Sequence, residues 1–88
     1  MTVRIEREAD EIILVAPLTY KDRCREVPGA RWDSKAHVWR YPLSWAHCIM
    51  MRGVFGEELE VGPALTEWAV AENLERVAHA MAIREEMR

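Results

Sequence analysis

Four basic side chains stand close together among aromatic ones in the stretch Val27–Trp45, VPGARWDSKAHVWRYPLSW: Arg31, Lys35, His37 and Arg40, with Trp32, Trp39, Tyr41 and Trp45 between or beside them. Guanidinium and ammonium groups in such a cluster suit phosphate, so the chemistry this stretch offers is anion binding, while its flat aromatic surface suits a small core. Pro28-Gly29 opens it as a turn and Pro42 closes it. The β-branched and aromatic content between those stops predicts a hairpin, ARWD and VWRY, joined across Ser34-Lys35-Ala36-His37. If Trp32 pairs with Trp39, then Ala30 faces Tyr41, and these four side chains share one side. Arg31 and Arg40 then face each other on the opposite side, as do Asp33 and Val38. Two arginines opposed across a ladder repel unless something negative lies over them, and phosphate is the obvious candidate.

The elements that must hold this hairpin are readable in outline. TVRIER alternates apolar and polar, Ala9-Asp10 is a turn, and EIILVA is a more apolar run, so residues 2–16 predict a first hairpin with its second strand more central. Pro17 stops that strand, and Thr19 is placed to cap a short helix through Glu26 that carries Lys21, Arg23 and Arg25. Taken singly, these three cations read as a solvated surface; taken with Arg31 and Arg40 they extend one patch. Ser44 caps a second helix from Trp45 to Arg52, ended by Gly53. His47, with no metal-type partner at helical spacing except Met50 and Met51, reads as a packed or boundary histidine and not a ligand. Glu58-Leu59-Glu60-Val61 predicts a short edge strand with both glutamates on a solvent face. Pro63 begins a last helix with no Gly or Pro from Ala64 to Arg88, whose Leu65, Trp68, Leu74, Val77, Ala78 and Met81 read as one apolar face. The expected fold is α+β, in the order β-β-α-β-β-α-β-α, with a small, mostly antiparallel sheet, helices on one face and a long C-terminal helix. Residues 1–62 form the compact module. Residues 63–88 form the helix, its first half packed on the module and its second half a linker or interaction surface, with Met81 and Met87 exposed.

Val27-Pro28-Gly29-Ala30-Arg31-Trp32-Asp33, Trp39 and Tyr41-Pro42-Leu43-Ser44 together resemble the HARP domain of annealing helicases. The similarity is closest to the small module that precedes the motor in phage-encoded Snf-type helicases, and it is densest from Val27 to Ser44. The resemblance implies a compact α/β module that binds DNA and helps a helicase motor engage forked or partly single-stranded substrates in replication or repair.

Composition bounds the rest. Eighty-eight residues, half of them apolar, make one small domain with a single core. No run approaches the ~20 apolar residues of a membrane span, and the charged N-terminus lacks the apolar core of a signal peptide, so the expected location is the cytoplasm. Cys24 and Cys48 have no partner at metal spacing and read as buried free thiols. The net charge is −3, but it is unevenly spread: Lys21–Arg52 holds seven Lys or Arg against three acids, and from Glu57 onward there are eight Glu against three Arg. No GxxxxGK[ST], GxSxG or HExxH string occurs, and Ser34 and Ser44 have turn and cap roles, so no catalysis, metal or cofactor is expected.

The expected function is a non-catalytic DNA-binding accessory module, largely sequence-neutral, favouring single-stranded or forked DNA. Its contacts are Arg31, Arg40, Lys35 and His37, aided by Lys21 and Arg25. Small sheets bury their aromatics, which puts Trp32 and Trp39 in the core; an exposed Trp39 or Tyr41 would add about 1–3 kcal/mol by stacking on an unpaired base. The alternative is a protein-interaction module that docks through its acidic, amphipathic C-terminal helix onto a motor domain, another protein or a second copy.

Overall fold

Alternating side chains in the first fifteen residues build the centre of the sheet. The computed structural model describes residues 2–86. Strands β1 (Val3–Glu8) and β2 (Glu11–Val15) form an antiparallel hairpin in which Ile5 faces Leu14. Its two-residue turn holds Ala9 at φ 53°, and the Arg7 Nε–H donates to the Ala9 carbonyl at 3.0 Å. A short 3-10 turn, Leu18–Tyr20, leads into α1 (Lys21–Glu26). Thr19 therefore lies inside the turn and caps nothing; Pro17, with its φ preset, starts the coil instead.

The second hairpin, β3 (Arg31–Asp33) and β4 (Val38–Pro42), has the expected register: Trp32 opposite Trp39 and Arg31 opposite Arg40. Gly29 enters it at φ 82°, where a side chain would also crowd Pro42. Helix α2 (Trp45–Phe55) is capped by the Ser44 side chain, which accepts from the His47 N–H at 3.0 Å. It runs through Gly53 and ends at Gly56, because Gly56 and not Gly53 takes the positive φ that turns the chain out of the helix. Strand β5 (Leu59–Val61) follows a single 3-10 turn, and α3 (Pro63–Glu86) completes the fold.

The strands lie in the order β3-β4-β2-β1-β5. Only the β1–β5 pair is parallel, so the sheet is mixed although mostly antiparallel. The fold is α+β. Val3, Ile5, Ile12, Leu14, Tyr41 and Leu59 point to one face, where Cys24 of α1, Val27 just after it, Met51 and Phe55 of α2 and Leu65 of α3 complete a core of residues at most 6 % exposed. Tyr41 is sealed there and its hydroxyl donates to the Cys24 carbonyl at 2.7 Å, satisfying a carbonyl near the end of α1. Cys24 is buried and Cys48 half-buried, both as free thiols whose pKa burial pushes up.

Two expectations for the C-terminal part need correction. Glu58 is not on a solvent-facing strand: it sits in the 3-10 turn and accepts from the Tyr20 hydroxyl at 3.1 Å and Arg23 at 3.3 Å. The apolar positions of α3 do not form one face. At about 100° per residue, Leu65 and Trp68 point nearly opposite to Leu74, Val77 and Met81; accordingly Leu65 is buried and Trp68 half-buried, while the other three are exposed. Met87 lies outside the described residues.

The start of α3 is held by a side chain from the far end of the sequence. The Glu6 carboxylate accepts from the Leu65 N–H at 2.7 Å and from its neighbour Arg7 N–H at 2.8 Å, acting as a cap. Its partial burial works against ionisation, but these backbone donors outweigh that and hold its pKa below the usual carboxylate range. A Cβ on Gly62 would overlap this carboxylate, so the glycine is what admits it. A depressed folded pKa means that the cap contributes fully above the unfolded carboxylate pKa and fades as pH falls through the folded value. Glu6→Gln should therefore cost about 1 kcal/mol near neutral pH, or about 4–8 °C in Tm. In thermal melts the gap from the parent should close at strongly acidic pH, and Gly62→Ala should add little to Glu6→Gln because both disrupt the same cap.

Candidate nucleic-acid interface

Arg31 and Arg40 lie side by side on the open face of the sheet, where the register requires them, but their charge is already met. Arg31 pairs with Glu11. Arg40 Nε reaches Asp33 at 2.8 Å, and its Nη1 reaches Glu8 at 3.1 Å and Glu11 at 3.5 Å. Two guanidinium groups are thus answered by three carboxylates. The hydrogen bond from Arg40 holds the Asp33 carboxyl below its usual range, helped by the N–H groups of Ala36 and Lys35, while Asp33 and Glu8 push the Arg40 pKa further up. Strand order is the physical reason. Because β2 lies beside β4, with Glu11 opposite Pro42 and Ile13 opposite Arg40, the β1–β2 turn delivers its carboxylates to the arginines. No vacant anion cradle exists at this pair.

Lys35 and His37 sit in the hairpin turn. Asp33 Oδ1 organises the turn by accepting from the Lys35 and Ala36 N–H groups at 3.0 and 3.1 Å. His37 takes φ 57°, and its exposed ring stands edge-on to Trp32 with centroids 6.3 Å apart. Lys35 is exposed beside the Arg31 face.

The opposite face holds the better candidate. Trp32 and Trp39 pack at 5.3 Å with planes at 59°, and the Arg25 guanidinium lies 5.9 Å from the Trp39 ring centre. With Ala16, Pro17, Leu18 and Lys21 they line a groove of about 280 Å³. Trp32 is 46 % exposed and Leu18 83 %, so the expectation that both indoles are core residues fails for Trp32. The cause is coverage: β3 is the outermost strand and has only the six-residue α1 near it, whereas α2 and α3 lie over the β1–β5 side. Among the described residues, neither Lys21 nor Arg25 has a carboxylate within ion-pair distance.

The structure therefore brings Lys21, Arg25 and Trp39 together and adds Trp32 and Leu18, which the sequence reading did not assign to a site. It sets Arg31 and Arg40 on the other side of the sheet. Tyr41, proposed for stacking, is fully buried, and burial together with its bond to Cys24 pushes its phenol pKa far up. The signal that would have found Leu18 is a large apolar residue directly after a strand-ending proline, where no amphipathic element claims it. Arg23, between two candidate cations in sequence, is structural: its Nη2 donates to the Val54 carbonyl at 2.8 Å, and it lies over the Tyr20 and Phe55 rings. His47 is packed as expected. Its Nε2 lies 2.8 Å from the Pro28 carbonyl, which can only accept, so Nε2 carries the proton and Nδ1 faces Ser44 Oγ at 2.6 Å.

Among the described residues there is no group of three or more His, Cys, Asp or Glu side chains arranged to hold a metal, and no helix long and apolar enough to cross a membrane. In Arg40→Ala the Asp33 carboxyl loses its main partner. Its titration, followed by carboxyl carbon NMR, should move to higher pH, and the variant should melt below the parent at neutral pH with the gap narrowing as the carboxylates protonate. No protein-family model, curated protein or solved structure matches the chain.

Proposed function

We propose that this domain is a non-catalytic module that binds single-stranded or forked DNA beside a helicase motor in the cytoplasm. The observation that carries the DNA reading is the Trp32–Trp39 groove, a half-open indole surface flanked by Lys21 and Arg25, whose charges no carboxylate among the described residues answers. An unpaired base stacks on such a surface whatever its identity, and the two cations take the neighbouring phosphates. A duplex keeps its bases stacked inside and offers the groove nothing but phosphate. The motor rests on the likeness of Val27–Ser44 to HARP modules. With a net charge of −3 and two free cations at the groove, binding is weak alone and suits a module tethered to a larger machine.

Fluorescence anisotropy with single-stranded, forked and duplex oligonucleotides over a salt series tests this. Single-stranded and forked DNA should bind at least as tightly as duplex. Trp32→Ala should weaken single-strand binding about 5- to 150-fold, the equivalent of about 1–3 kcal/mol of stacking. Lys21→Ala with Arg25→Ala should flatten the logarithmic salt slope by about 1.4. Arg31→Ala with Arg40→Ala should change binding less than either, with circular dichroism confirming the fold. An absence of binding at low salt, or a clear preference for duplex, would overturn the reading.

A further inference from the structure

Helix α3 carries a second apolar stripe that the fold of one chain leaves bare. Its first three turns dock through Leu65, Trp68, Ala69 and Glu72, which are buried or half-buried. Val70, Leu74, Val77 and Met81 lie on the side of α3 away from Leu65 and Glu72 and are 56 %, 64 %, 48 % and 59 % exposed, Val70 and Leu74 also edging an open hollow beside Trp45. From Asn73 to Ile83 every residue is exposed, and the molecule measures 52 Å along its longest axis against 23 and 20 Å across. The outward stripe is spaced four, three, four. That alternation of four and three fits the core positions of a short coiled-coil seam.

We propose that two copies of this chain pair through α3, antiparallel, about a two-fold axis midway between Glu75 and Arg76. In that arrangement Val70 meets Met81 of the second copy and Leu74 meets its Val77, so all four seam positions are matched by the same four, as an isologous interface requires. The positions flanking the seam are Ala71, Asn73, Ala78 and Ala80, which bring no charge into the contact and let the helices approach closely. Between Val70 and Met81 the charged residues stand away from it; Arg76 is engaged with Glu72 on its own helix at 3.4 Å and lies over Trp45. Antiparallel alignment also sets the helix dipoles head to tail. Because the stripe faces away from the sheet, each body lies on the outer side of the helix pair. Two heptads from each chain bury about 1,000 Å² in total, at the lower limit of specific interfaces, so the dimer is weak, with a Kd on the order of 0.1 mM. The pairing is independent of the DNA groove, which lies at the opposite edge of the sheet from β5.

Sedimentation equilibrium of the 88-residue chain at roughly 0.01–1 mM should show a monomer–dimer equilibrium. Leu74→Glu should weaken it at least about tenfold with helix content unchanged; Met81→Glu, farther from the body, is the second variant should the first lose structure. Orientation is read by mixing a Leu74→Cys chain with a Val77→Cys chain, both also carrying Cys48→Ser. The mixed 74–77 disulfide should form ahead of either like-with-like disulfide. A chain monomeric throughout, a dimer indifferent to both glutamates, or faster 74–74 bridging would each overturn the proposal.

Discussion

The pairing of β2 with β4 decides what each face of this sheet becomes. Ile12 opposite Tyr41 and Leu14 opposite Trp39 put the large apolar side chains under the helices, and the tyrosine hydroxyl then fastens α1 through the Cys24 carbonyl. With a side-chain period of two, the same register turns Ile13 and Arg40 to the open face and brings Glu11 beside the arginines. A slip of one residue would expose the core set and bury the guanidinium groups, a cost of many kcal/mol against a domain stability of only ~5–15 kcal/mol. Core, ion-pair lattice and groove are therefore consequences of one alignment.

Charge in this chain is sorted by what lies within reach, not by sequence neighbourhood. Arg23 and Arg25 are two residues apart, yet the first is spent on Glu58 and Val54 while the second rests over an indole. Arg40 is the most heavily engaged cation, meeting three carboxylates from two hairpins. Where cations are neutralised internally, a neighbouring phosphate gains little, because it must displace carboxylates that are already well placed. Lys21 and Arg25 carry no such debt. Their value to a ligand comes from this difference and not from their number.

Much of the framework was legible because it depends on local rules. The indole pair set the register of the β3–β4 hairpin, Ser44 marked the start of α2, and Pro63 marked the start of α3. What escaped depends on which strands become neighbours. Glu8 and Glu11 are far from Arg40 in sequence, and nothing in the Val27–Trp45 stretch announces that they will lie against it. Trp32 looked like core because aromatic residues in small sheets usually are, but its burial hinged on how far α1 reaches, a property of packing. The two stripes of α3 were distinguishable in principle: six residues from Trp68 to Leu74 turn a helix through about 240° beyond a full circle, which carries the second residue off the first one's face.

Strand β1 sits between β2, which follows it at once, and β5, more than fifty residues later. During vectorial synthesis on a ribosome the first hairpin can close early, but one side of its leading strand then waits with unpaired backbone groups until Leu59–Val61 emerges. The nascent domain thus passes through an interval in which β1, whose Val3 and Ile5 belong to the core, has one open flank. Completion of the sheet is tied to the arrival of its latest strand, only three residues long, which makes that interval the point at which misassembly or chaperone capture competes with folding.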